Sequence, residues 1–145
     1  MAETPATTAE ELIEEFELFQ DWEERYRFII ELGDELPEFP TEKQIEANRV
    51  EGCQSNVWMV ASQREAEVPI VDYQADSDSQ IVRGLIAILL EIYSGRPADE
   101  ILAFEIEPVF EKLGLKQHLS PSRSNGFRAM VQRMRTFAEL AMHQK

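Results

Sequence analysis

The sequence predicts an α/β fold of the α+β kind, a small three-stranded antiparallel sheet flanked by helices. Three observations predict it. Residues 48–74 hold three short β-like pieces. Their links are far shorter than the crossover of about a dozen residues or more that parallel strands require. Helical periodicity occupies the chain on both sides of that stretch. At 145 residues the chain suits one hydrophobic core. A single domain over 1–145 is therefore expected, with residues 1–8 flexible.

Taken in order, Thr8-Ala9-Glu10-Glu11 has the capping-box pattern, and Leu12, Phe16 and Phe19 follow at helical spacing. Asp21 can cap a second helix with the apolar face Trp22, Tyr26, Ile29 and Ile30, and Gly33 is placed at its end. Residues 36–48 are Pro-rich, then polar, and are expected to hold one short helical turn. The β-like pieces are 48–51, 56–62 and 68–74. The second carries Val57, Trp58, Met59 and Val60, and the third is rich in Val, Ile and Tyr. Trp58 is assigned to the core, and Gly52-Cys53-Gln54-Ser55 to the turn between the first two strands. Ser77-Asp78-Ser79-Gln80 forms a second capping box, with Asp76 and Asp78 read as helix caps first and partner contacts second. The helix after it, over 79–94, is apolar nearly all round and should be the buried central helix, stopped by Gly95 and Pro97. Two short helices are expected near 98–104 and 108–113. Ser120-Pro121 opens the last helix, whose apolar face runs through Phe127, Met130, Val131, Met134, Phe137, Ala138 and Ala141.

Charge narrows the classes of partner. The formal net charge is -14. Such a surface repels phosphates and anionic lipid, so neither nucleic acid nor membrane is expected, and a partner with a basic patch is favoured. The distribution is uneven: from Lys112 onward there are seven Lys/Arg and one acid, Glu139, against seven Lys/Arg and 27 Asp/Glu before it. The longest apolar stretch, 81–93, contains Arg83 and Glu91 and is shorter than the roughly 20 residues of a membrane-spanning helix. The N-terminal residues lack the basic and apolar regions of a secretory signal. A single cysteine allows no intramolecular disulfide, and a cytoplasmic location is expected.

That cysteine, Cys53, stands just outside an apolar run, between a glycine and Gln54-Ser55. A packed, inert thiol is one reading. A metal site fits poorly, since structural zinc takes several close Cys/His ligands and here the only histidines are His118 and His143. An iron–sulfur scaffold normally needs several thiolates. A Cys–His enzyme with His118 as base stays open. So does chemistry that needs one thiolate and no second thiol, such as carrying a sulfur atom. A neighbouring cysteine would there expel the cargo as sulfide and close a disulfide.

RVEGCQSNVWM at 49–59 resembles the cysteine motif of the SufE family, approximately R-V-x-G-C-Q-S-x-V-W. WEERYRFIIELG at 22–33, DSDSQIVRGLIAILLEIYSG at 76–95 and LGLKQHLSPSRSNGFRAM at 113–130 resemble its early helix, central helix and near-terminal signature, in the family's order. Asn56 and Met59 are mild departures, standing where glutamine and leucine or isoleucine are common. The resemblance implies a fold like that of the IscU-type iron–sulfur scaffolds. It also implies a sulfur acceptor that takes persulfide sulfur onto Cys53 from a PLP-dependent cysteine desulfurase, SufS-like or CsdA-like. The acceptor stimulates that enzyme and passes the sulfur to iron–sulfur cluster assembly. No cofactor or metal is implied for this chain itself. Family members can be dimeric, so a homodimer is allowed. Gly52, Gln54 and Ser55 would support the thiol. Arg123 matches a characteristic arginine that either lowers the thiol pKa or braces loops. Gly126, placed where glycine costs a helix about 1 kcal/mol against alanine, would be explained by close packing, for instance against the Cys53 loop. The rival to the carrier is an adaptor that binds the desulfurase with Cys53 merely packed.

Overall fold

The computed structural model describes residues 4–143. In chain order the elements are α1 (Pro5–Glu17), α2 (Trp22–Asp34), two 3-10 turns (Thr41–Lys43 and Glu46–Asn48), β1 (Val57–Arg64), β2 (Ile70–Ser77) and α3 (Gln80–Tyr93). A two-residue β3 (Arg96–Pro97), the short helices α4 (Ala98–Ala103), α5 (Glu107–Lys112) and α6 (Leu115–His118), and the long α7 (Pro121–His143) follow.

The first helix opens earlier than its capping box suggests. The Thr4 side chain accepts from the Thr7 backbone N–H at 3.1 Å, and Pro5 takes the first helical position. Residues 5–8, expected to be flexible, are the first turn of α1, with Pro5 and Thr8 buried. Residues 1–3 lie outside the described residues. Asp21 caps α2 as expected, accepting from Glu24 N–H at 2.9 Å.

The sheet is antiparallel and three-stranded, in the order β1-β2-β3. β1 and β2 pair along their length, from Val57 opposite Ser77 to Arg64 opposite Ile70. The third strand is not the 48–51 piece. That segment, hemmed between a 3-10 turn and a positive-φ glycine, makes one bridge, Arg49 with Trp58, and the Val50 N–H donates to Val57 O at 2.8 Å. The third strand is instead Arg96–Pro97 on the far side of β2. Its proline sits at the sheet edge, where a missing N–H is tolerated. Val57, Met59, Val71, Tyr73 and Ala75 point into the core. Trp58 takes the opposite face by the strand's two-residue period and is half-buried, not a core residue.

α3 is the centre of the molecule. Ten of its fourteen residues are buried, from Ile81 through Tyr93. α1, α2, α7 and the sheet all pack on it. α2 approaches so closely that a Cβ on Gly33 would lie 2.6 Å from the Gly84 backbone N, and one on Gly84 would collide with the Ile29 carbonyl group. Gly33 is therefore not the end of α2, which runs on to Asp34. It is half of a crossing that has no room for side chains. At the other end, the Tyr73 hydroxyl donates to Met134 O at 2.6 Å and ties β2 to α7, while burial raises the pKa of that phenol. No helix among the described residues is long and apolar enough to cross a membrane.

Because the Gly84 contact is with backbone, relief requires the helices to part. Gly84→Ala is expected to lower stability by about 2–3 kcal/mol, read as a fall in the urea unfolding midpoint with an unchanged slope.

Candidate functional site

Cys53 is carried on the loop between the Arg49–Trp58 bridge and the start of β1. Gly52 has φ +94°, a left-handed conformation that L side chains adopt at a cost, and a Cβ there would also press on Ala129 of α7 at 3.2 Å. The turn delivers Cys53 against the same helix. Its thiol donates to Gly126 O at 3.6 Å, and a Cβ on Gly126 would stand 3.4 Å from Sγ. The glycine early in α7 is thus matched to the Cys53 loop. The far end of the loop is held by Asp78, which accepts from the Asn56 backbone N–H at 3.1 Å and from its Nδ2 at 2.9 Å. Asp78 caps the loop rather than α3, and Asp76 pairs with Arg83 at 3.1 Å.

The thiol opens into a cleft of about 310 Å³. Val82 and Leu85 of α3 and Phe127 and Met130 of α7 form its apolar walls, and Gln54, Ser55, Ser120, Ser122 and Arg123 supply its polar atoms. No acid among the described residues lines it, although the chain carries 28. Cys53 is half-buried. Burial pushes its pKa above the usual thiol value, and the positive charge of Arg49 works against that rise. The S–H···O contact to Gly126 exists only in the protonated form and agrees with a thiol neutral at rest.

The residues singled out in the sequence do not all converge. Gly52 shapes the loop, and Gln54, Ser55 and Arg123 line the cleft with Cys53. Arg123 is exposed on the first turns of α7, its backbone N–H donating to Ser120 Oγ at 3.2 Å. His118 is not among the residues lining the cleft. Its ring lies flat on Trp22, centroids 4.6 Å apart and planes 8° apart. The sequence reading missed Arg49 and the two serines, Ser120 and Ser122. Arg49 begins the motif around Cys53, and a cation so near a lone thiol was the available signal. The serines lie 67 and 69 residues further on than Cys53, and only folding brings them to it. No group of three or more His, Cys, Asp or Glu arranged to hold a metal occurs among the described residues.

A helix-flanked antiparallel sheet that presents one thiol from a loop, in a cleft free of acids, defines a class of small single-thiol proteins. Comparison with known proteins makes this specific. Residues 10–138 match the family model described as SufE, an Fe-S metabolism associated domain, and the chain belongs to the SufE family. An uncharacterized SufE-like protein of Rhizobium etli is 48% identical over 132 residues, covering 90% of this chain and 89% of its own. Another, of Rhizobium meliloti, is 43% identical over 134 residues, covering 92% and 96%. The solution structure of a hypothetical protein from Thermus thermophilus shares the fold, with a TM-score of 0.72 at 19% identity over 92% of this chain and 95% of that one. Membership associates the chain with iron–sulfur metabolism.

A half-buried thiol in this setting is expected to alkylate slowly with iodoacetamide at neutral pH, compared with a cysteine in an unfolded peptide. Its rate–pH midpoint should lie above that of the peptide. Asp78→Ala, which releases the Asn56 end of the loop, should accelerate alkylation while costing only about 1 kcal/mol of stability.

Proposed function

We propose that this protein is a sulfur acceptor. It takes persulfide sulfur onto Cys53 from a PLP-dependent cysteine desulfurase, SufS-like or CsdA-like, stimulates that enzyme, and passes the sulfur to an iron–sulfur scaffold. The observation that carries the reading is the placement of one thiol, on a glycine-turned loop, at an acid-free cleft in a strongly acidic protein of the SufE family.

The chemistry is a transfer between thiols. The Cys53 thiolate attacks the terminal sulfur of the donor's persulfide. The donor's S–S bond breaks, its cysteine leaves as a thiolate, and Cys53 becomes the persulfide. The step needs no external oxidant or reductant. It needs Cys53 to ionise, and at rest burial opposes that. Docking that draws the loop toward the donor removes the penalty at the moment of attack. Gly52 allows the loop its turn, while Gln54, Ser55 and Arg123 are the polar groups that a persulfide or a docked partner meets.

Half-burial of Cys53 also favours a second reading, an adaptor that binds the desulfurase and uses the thiol for packing alone. A free-standing Cys–His enzyme draws no support from His118, whose ring is committed to Trp22.

One experiment separates these. Incubated with a cysteine desulfurase and cysteine, the wild-type protein should gain the mass of one sulfur atom, on Cys53. Cys53→Ser should fold, bind the desulfurase and gain nothing. Binding without any gain by the wild-type protein would leave the adaptor, and turnover without a desulfurase would leave the enzyme.

A further inference from the structure

The thiol and the one charged side chain of the cleft meet on a single face of α7. Sγ of Cys53 rests on Gly126, 3.6 Å from its carbonyl oxygen and 3.4 Å from where a Cβ would stand. Ser122 and Arg123 precede Gly126 by four and three positions. Residues at these spacings share a helix face, with about 5–6 Å between Cβ atoms. Both line the cleft with Cys53. Neither side chain has a hydrogen bond or ion pair among the described residues, and only the Arg123 backbone N–H is engaged, donating to Ser120 Oγ. The next arginines of α7 are committed elsewhere, Arg128 to Glu107 and Arg133 to the Ala47 carbonyl and the Phe137 ring.

The cleft is roomier than one added sulfur atom requires. Its 310 Å³ or so falls within the roughly 300–1,000 Å³ of sites for small organic ligands, which combine apolar walls with a few polar groups. A second cleft of the same volume, between Leu36 and Leu90, is lined by Glu35 and Glu91 and by no Lys or Arg among the described residues. The character that suits an anion therefore belongs to the Cys53 cleft. One guanidinium and one hydroxyl match a monoanion, and the planar fork of arginine fits a carboxylate.

We propose that the Cys53 cleft binds small thiols that carry a carboxylate, with Arg123 and Ser122 holding the carboxylate while the ligand's sulfur meets Cys53. Resting on the acceptor role proposed above, the site gives the carried sulfur a second exit. The thiolate of the bound molecule attacks the outer sulfur of the Cys53 persulfide. The S–S bond breaks, Cys53 leaves as a thiolate, and the small molecule departs as the persulfide. No oxidant or reductant is consumed.

Binding is tested on the free protein. Iodoacetate and iodoacetamide alkylate the same thiolate with loss of iodide, one carrying a carboxylate and the other a neutral amide. The ratio of their rates, read by mass at the single cysteine, cancels any change in the ionisation or exposure of the thiol. A protein of net charge -14 repels anions at large, yet the ratio at Cys53 should exceed that of a blocked, uncharged cysteine peptide. Arg123→Gln should lower it roughly 2- to 5-fold, the modest effect of an exposed ion pair, and Arg123→Lys should keep most of it. Arg128→Gln, which removes the same charge from the same helix outside the cleft, should leave it in place. Transfer is tested on protein persulfidated at Cys53 with sodium polysulfide and discharged by 3-mercaptopropionate or by 2-mercaptoethanol. Arg123→Gln should slow the first relative to the second by a similar factor. A wild-type alkylation ratio no higher than the peptide's would overturn the proposal, and that comparison needs no variant. So would an equal fall in Arg128→Gln, or a discharge preference that Arg123→Gln does not move. Neither arm uses a desulfurase, so a failure of the acceptor role, seen as no sulfur gained from that enzyme, is distinguishable from a failure of this site.

Discussion

Burying α3 on every side is the constraint on which the remaining elements depend. A helix with Ile81, Leu85, Ile86, Ile88, Leu89 and Ile92 all withdrawn from water stabilises the fold by about 1.5–3 kcal/mol for each side chain of this size. It can do so only if neighbours cover its whole circumference. α2 covers one flank, the sheet a second and α7 a third, and the bare crossing at Gly33 and Gly84 lets α2 come close enough to seal its side. The Cys53 cleft is a consequence of the same arrangement, since Val82 and Leu85 of α3 and Phe127 and Met130 of α7 are core-forming residues that also become its walls.

The thiol is held between opposing effects. Withdrawal from water favours the neutral form, and the Arg49 charge favours the anion. Burial is the larger of the two in the resting structure. The loop that sets the balance is fastened at both ends, by the Val50–Val57 hydrogen bond and by Asp78, and it leans on α7 where Gly126 leaves space. Such a loop can shelter the sulfur without a lid or a second domain.

Acidity is organised around this site. The chain carries twice as many acids as bases, yet among the described residues the cleft lining has a single charged side chain, Arg123. The basic C-terminal segment is partly neutralised within the fold, as Arg128 pairs with Glu107 at 2.7 Å and Lys116 with Glu111 at 2.8 Å. Arg123 makes no such pair among the described residues and stays at the cleft. Much of the anionic character of the remainder lies on the outward faces of α1 and α2, which are rich in exposed glutamate.

Residue pattern alone determined every helix but the short α6, the β1–β2 pairing and the buried central helix, and it drew attention to Cys53, because these depend on local periodicity, caps and one conspicuous loop. Glycine's absent side chain left its purpose ambiguous: Gly33 looked like a helix end, and the fold uses it for contact. The third strand escaped notice because two residues, one of them proline, carry no strand signature of their own and pair only because α3 returns them to the edge of β2. Trp58 looked like core until the strand's two-residue period was tied to one buried face. Arg123 was likewise placed by tertiary structure: it lies 70 residues beyond Cys53 in the chain, and only folding brings it into the same cleft.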